Sequence, residues 1–431
     1  MRNLLLALSL FFIFSPAIAA KQTEQSTPDA RRTLEAWLVA FRSGERDQLA
    51  QFVEGYGWPH SLDDLIAFRN VTGGFDLLSI EKTSSTSIEF VVQETGRERR
   101  AAGRLALSGE PLRVTEAYFV VIPAGASFLG FDISQSMRET VIADINQTLH
   151  KYYVFNEIAK AMTERLVKQQ KRGEYQSLYN GVTFAELVTT HLREVSNDLH
   201  LRLVFSPLSN LPPLTDELKG KEYRQNMEQI NCGFEQAEIL PDNIGLIKFD
   251  IFADPEICGA TASATIKQVK DVNALIIDMR ANQGGMPAMV AYVTSYFFEK
   301  PTHLNDIYNR AEDTTRQWWT LAQVPGDRLI SQPIYLLTSK RTFSAAEEFA
   351  YNLQALGRAK IIGETTGGGA HPVCEEQINA QFTLIVPCER SINPITKTNW
   401  EGTGVKPDVE VPSEIALDKA LALIAEVSSS N

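Results

Sequence analysis

Long basic runs are missing from this chain of 431 residues, whose formal net charge is -12. Electrostatics therefore favour neither nucleic acid nor an anionic membrane surface as a partner. Beyond the first twenty residues no stretch is apolar enough for a transmembrane helix, so integral membrane association is not expected. Cysteine is scarce at four residues, and no C-x-x-C or Cys/His pair has ligand spacing, so no metal site is expected. The glycine run Ile362-Gly-Glu-Thr-Thr-Gly-Gly-Gly-Ala-His-Pro372 fails the G-x-G-x-x-G pattern and no Walker lysine follows, which argues against a nucleotide cofactor. Internal repeats and low-complexity tracts are absent. What is present, 44% hydrophobic and 22% charged residues, fits an ordinary globular protein, and the length allows two or three domains.

Arg2, the apolar run Leu4 to Phe14 and the small-residue site Ala17-Ile18-Ala19 read as a signal peptide over residues 1–19. An exported protein, periplasmic or secreted, is expected; an uncleaved anchor is the alternative. No cysteine lies near the cut, which argues against a lipoprotein anchor. In an oxidising compartment the four cysteines read as disulfides. Of three possible pairings, the two local ones are favoured: Cys374 with Cys388 across a tight hairpin, and Cys232 with Cys258 around Ile244–Asp250.

Residues 25–122 read as an α+β accessory module. Asp29 can cap a helix with Leu34, Trp37, Leu38 and Phe41 on one stripe. Four strand-like runs follow, Phe75–Glu81, Ser87–Glu94, Arg99–Ser108 and Leu112–Ile122. That order resembles the cone of nuclear-transport-factor relatives, which can hold ligands; with no constellation of catalytic type, the module reads as a structural or docking accessory. Pro123 to Ser127 reads as a linker. Residues 134–205 form a helical subdomain, in which His191 shares an apolar stripe with Phe184, Leu187, Val188 and Leu192 and so reads as a core histidine. Over residues 232–415 strands alternate with helices, the signature of βαβ units and a largely parallel sheet. The expected buried strands are Ile244–Asp250, Ala274–Met279, Pro333–Thr338 and Ala359–Glu364.

Three strand ends in this half carry candidate chemistry. Ile277-Asp-Met-Arg-Ala-Asn-Gln-Gly-Gly285 runs into a glycine-paired turn whose bare N–H groups can hold an oxyanion. Leu336-Leu-Thr-Ser-Lys-Arg-Thr-Phe-Ser344 places a serine at the mouth of a helix, either as a cap or as an exposed nucleophile. The third is the glycine run ending at Pro372. Together, Asp278-Met-Arg-Ala-Asn-Gln-Gly-Gly285, Thr338-Ser-Lys-Arg-Thr-Phe-Ser-Ala-Ala-Glu347 and Gly357-Arg-Ala-Lys-Ile-Ile-Gly-Glu-Thr-Thr366 resemble the tail-specific, or C-terminal-processing, serine protease family over roughly residues 136–412. The resemblance implies an α/β, ClpP/crotonase-like protease core behind the helical subdomain, with Ser344 as nucleophile. It implies an oxyanion hole from the Ala345 N–H and an N–H of Gly284 or Gly285, and no cofactor.

No lysine stands in the Gly367–Pro372 loop for a Ser–Lys dyad, and residues 206–235 are too few for a PDZ domain. Both departures point to the branch that resembles the tricorn core and interphotoreceptor retinoid-binding protein. That branch implies His200 as base and Glu401, in Trp400-Glu-Gly-Thr-Gly-Val-Lys-Pro-Asp408, as the group orienting it. Alternation of Leu199, Leu201, Leu203 and Phe205 sets His200 on the opposite face of a short strand, with Asp198 and Arg202. His371 is the alternative base, expected at the loop's rim. The expected activity is hydrolysis of a peptide or protein through an acyl-enzyme. The rival is a non-catalytic binding protein for an apolar ligand or peptide on the same fold.

Overall fold

The computed structural model describes residues 29–209 and 216–429. The expected signal segment, 1–19, lies outside the described residues. The chain divides into two units that meet between Val121 and Ile122.

In the first unit α1 (Ala30–Ser43) starts where the Asp29 carboxylate accepts the Arg32 N–H at 2.8 Å. Helices α2 (Arg46–Tyr56) and α3 (Leu62–Thr72) follow, the latter opened by a Ser61/Asp64 capping box. Strands β1 (Phe75–Thr83), β2 (Ser87–Glu94), β3 (Arg100–Ser108) and β4 (Arg113–Ile122) form one sheet in chain order. Leu34, Trp37 and Phe41 are fully buried, and Trp37 packs on Phe41, Phe75 and Phe119.

The second unit begins with β5 (Ser127–Phe128) and a helical group, α4 (Gln135–Tyr152), α5 (Asn156–Lys171) and α6 (Gly181–Ser196). In α6, His191 is 4% exposed and lies 2.8 Å from the Tyr175 hydroxyl, a packed core histidine. Next come β6 (Arg202–Phe205), β7 (Leu208–Ser209), which pairs with β5, and α7 (Asp216–Gln229). The βαβ region then runs β8 (Phe234–Leu240), β9 (Ile244–Phe249), α8 (Pro255–Gln268), β10 (Ala274–Asp278) and α9 (Pro287–Thr294). A side hairpin, β11 (His303–Asn309) and β12 (Thr314–Trp319), precedes β13 (Ile334–Thr338), α10 (Ala345–Ala355) and β14 (Ala359–Gly363). The chain ends with β15 (Val373–Gln377), β16 (Phe382–Pro387), β17 (Glu389–Ile392), β18 (Val409–Glu410) and α11 (Ala416–Ser429).

The large sheet has the order β18-β14-β13-β10-β9-β8 and is parallel except for β8, which makes it mixed. Strands β10 and β13 are buried throughout, and their apolar residues divide by parity between two cores. Leu275, Ile277 and Leu336 face α8, α9 and α10, whereas Ala274, Ile276, Tyr335 and Leu337 face α11. This is the α/β core with a helical preface that the motifs implied. One local expectation fails. Leu199 is 46% exposed and His200 sits in the turn before β6, so the alternation starts at Leu201. The turn after α6 uses up the two residues that the pattern assigned to the strand.

Candidate active site

Neighbouring strands β10, β13 and β14 end side by side and release their loops at the carboxyl edge of the sheet, where ligands bind in such folds. After β10, Asp278 holds Arg280 through Nε at 2.9 Å and Nη2 at 2.6 Å. Asn282, fully buried, donates to the Phe249 carbonyl at 3.0 Å and accepts the Gly284 N–H at 2.9 Å. After β13, Ser339 donates to the Arg280 carbonyl at 2.6 Å and Thr342 to the Met279 carbonyl at 2.9 Å. The Phe343 N–H reaches the Asn282 carbonyl at 3.1 Å. The polar motif residues thus fasten the two loops to each other.

Ser344 has φ 57° and ψ -123°, a conformation that costs a non-glycine residue of order 1–3 kcal/mol and must be held by its surroundings. Gly284 lies against it: with φ 105°, a Cβ there would come 2.7 Å from Ser344 Cβ and 2.8 Å from the Ala345 nitrogen. Of the expected oxyanion donors, the Gly284 N–H is taken by Asn282, a correction to that expectation. The N–H groups of Gly285 and Ala345 meet no acceptor among the described residues.

Glu347, on the first turn of α10, is fully buried. Its carboxylate accepts the N–H groups of Ser344 at 2.9 Å, Gly368 at 2.6 Å and Gly369 at 2.8 Å, and the Thr366 hydroxyl. Burial pushes its pKa up against these hydrogen bonds. It ties the serine's strained backbone to the glycine run. Sequence reasoning gave Glu347 no role, although Ser-x-x-Glu is the spacing of a capping box. From the other side, Trp400 Nε1 donates to the Gly369 carbonyl at 2.7 Å.

The small sheet β15-β16-β6 sets two histidines side by side. Strands β15 and β6 both pair antiparallel with β16, so they start at the same end, one just after His371 and the other just after His200. The His200 ring packs on Phe343, beside the serine, with centroids 4.6 Å apart. Gly369 makes room for it, since a Cβ there would come 2.7 Å from His200 Cε1. The Asp198 carboxylate accepts the His200 backbone N–H at 3.0 Å through Oδ1, and its Oδ2 lies 2.7 Å from His371 Nδ1. Glu401 Oε2 accepts the Ala370 N–H and stands 3.4 Å from His371 Nδ1.

Two expectations change here. Glu401 meets His371 and the Ala370 N–H, and makes no hydrogen bond or ion pair with His200 among the described residues. His371 is 3% exposed and not at a rim, packed edge-on against Phe155. Asp198, two residues before His200, is the partner that sequence reasoning left without a role.

The electrostatics follow from burial. Desolvation lowers the pKa of His200 to about 4; Asp198 opposes the shift, while His371, Arg202 and Arg193 add to it. Desolvation and the Asp198 charge raise Glu401 to about 7, against His371 and the Ala370 N–H. Burial, with the charges of Asp198 and Glu401, also raises Tyr153. Asp198, His371 and Glu401 bring polar atoms within 4.8 Å of one another. Cysteines 232 and 258 are joined, as are 374 and 388, and the second bond clamps the β15–β16 hairpin.

The family model "Peptidase family S41" matches residues 243–411, and the model "N-terminal domain of Peptidase_S41 in eukaryotic IRBP" matches residues 134–229. The chain is 24% identical over 132 residues to carboxy-terminal processing protease CtpA of Bacillus subtilis (strain 168), covering 31% of this chain and 27% of that protein. It therefore spans about a quarter of the length of the curated relatives it matches. A putative peptidase from Parabacteroides merdae ATCC 43184 is similar at 17% identity and a TM-score of 0.48, over 66% of this chain and 96% of that one. The tricorn protease is similar at 13% identity and a TM-score of 0.41, over 82% of this chain and 46% of that one.

Proposed function

Because the chain belongs to peptidase family S41, we propose that it is a serine-type peptidase of peptides or proteins, with Ser344 as nucleophile and His200 as general base. The observation that carries this reading is the backbone of Ser344, held at positive φ at a strand-to-helix turn, with the Gly285 and Ala345 N–H groups meeting no acceptor among the described residues. In the proposed reaction Ser344 Oγ attacks the scissile carbonyl carbon and His200 takes its proton. The oxyanion accepts hydrogen bonds from the Gly285 and Ala345 N–H groups. His200 returns the proton to the leaving amine, and water repeats the sequence to release the acid. Glu401 acts on the base through His371 and the Ala370 backbone, which it holds. Two disulfides fit an oxidising compartment, so the reading includes export.

A fluorophosphonate probe tests it. The wild type should be labelled at Ser344 by peptide mapping, and Ser344→Ala should lose labelling while melting at the same temperature. Labelling elsewhere, or none, would reject the assignment and favour a binding protein on this fold. His200→Ala should lose nearly as much as Ser344→Ala, because members of a triad act as a unit, and His371→Ala clearly less. If His371→Ala is the more damaging change, the two histidines are assigned the wrong way round.

A further inference from the structure

We propose that Asp198 is the positioning residue of the base: its carboxylate aims the His200 ring and supports the imidazolium formed during attack, with His371 and Glu401 beside it. The inference rests on the reading of Ser344 and His200 given above, and it deepens it.

The geometry is a compact group of side chains, in which Asp198 and Glu401 both stand at His371 Nδ1. His200 Nδ1 is buried and has no hydrogen-bond partner among the described residues, and the carboxylate oxygen 4.0 Å from it is Asp198 Oδ1. Asp198 is 1% exposed, so its charge acts in a poorly screened setting. Its other oxygen is fixed by His371 Nδ1 at 2.7 Å, and Glu401 Oε2 stands 3.4 Å from that same nitrogen. Hydrogen bonds of a resting catalytic site are commonly long and close in the loaded complex. Closing 4.0 Å to hydrogen-bond length needs about 1 Å, within reach of a small rotation of the His200 ring. Glu401, with the Ala370 N–H and His371 on one oxygen, makes no hydrogen bond or ion pair with His200 among the described residues.

Charge points the same way. The groups facing His200 are Asp198 from its own turn, His371 from the glycine loop, Arg202 from β6 and Arg193 from α6. Of these, Asp198 alone favours the protonated ring; the other three oppose it. Removing its charge therefore lowers the basicity of His200 further, and it also leaves the imidazolium without a counter-charge.

The test is the second-order rate of labelling by a fluorophosphonate, measured on the full chain from pH 3.5 to 9. Asp198→Asn keeps an oxygen for the His200 backbone N–H and removes the charge. It should slow labelling at neutral pH on the order of 100-fold or more. Its acid limb, near pH 4 in the wild type, should drop out of the measured range. Glu401→Gln should slow labelling less than about tenfold and leave that limb in place. Asp198→Glu, which restores the charge, should recover the limb, and it decides the matter if the Asn variant does not fold. An Asp198→Asn variant within tenfold of wild type with an unmoved limb overturns the proposal, as does a Glu401→Gln variant that loses more. A wild type that is not labelled at all overturns the serine-peptidase reading and this inference with it.

Discussion

Glu347 binds four donors with one carboxylate, and three of them are backbone N–H groups from Ser344 and the glycine run. A glutamine has one acceptor oxygen and turns an NH2 group toward donors, so Glu347→Gln leaves buried N–H groups unpaired. Each such loss costs about 1–3 kcal/mol. The variant should melt lower and, because the Ser344 backbone is released, should lose about 100-fold or more in labelling rate. Unchanged labelling would show that the elbow does not depend on this carboxylate. The next residue makes a pH prediction. Glu348 is 3% exposed, and burial raises its pKa from 4.5 to about 8, with the nearby Asn305 and Asn352 side chains acting the other way. A carboxyl whose folded pKa is raised stabilises the fold fully below its unfolded value, and that contribution is lost as pH rises through the folded value. Between pH 5 and 8 the wild type should lose stability relative to Glu348→Gln by roughly 1 kcal/mol per pH unit. Parallel denaturation curves for the two proteins across that range would show that Glu348 is ionised in the fold.

At the scale of elements, the β15-β16-β6 sheet determines where the two histidines stand, and the Cys374–Cys388 bond closes its hairpin with a sequence separation of 14. Closing a loop of that size contributes ~3 kcal/mol in the chain-entropy model. The double variant Cys374→Ser/Cys388→Ser should lose about that much stability by denaturant unfolding. Its labelling rate should fall several-fold, since β15 starts two residues after His371. A stability loss with an unchanged rate would mean that β16 alone aligns His371 with His200. The buried strands of this half were readable in advance because they depend on runs of apolar residues. The start of β6 was not: a two-residue turn after α6 shifted the alternation, and no periodicity reports where a turn ends.

At the scale of the molecule, each unit has apolar cores of its own among the described residues. The aromatic core around Trp37 draws on residues 30–114, and the three other cores draw on residues 133–424. A chain starting at residue 122 keeps every core around the candidate site. It should fold and label at Ser344 within about threefold of the full chain. A truncated chain that cannot fold, or folds without labelling, would tie the first unit to the site itself.

The amino-acid sequence by itself determined the α/β class, the four parallel strands and the loops at their ends, because apolar runs, turn residues and motif spacing are local properties. It also pointed to the two cysteine pairs now seen joined, since each closes a short stretch of chain. Only the tertiary structure decided which carboxylate meets which histidine. Asp198 and His371 are 173 residues apart, and Glu347 reaches partners 19 to 22 residues on. Such pairings follow from the order of strands in a sheet and from which loops then share space, and neither is written in the neighbourhood of any single residue.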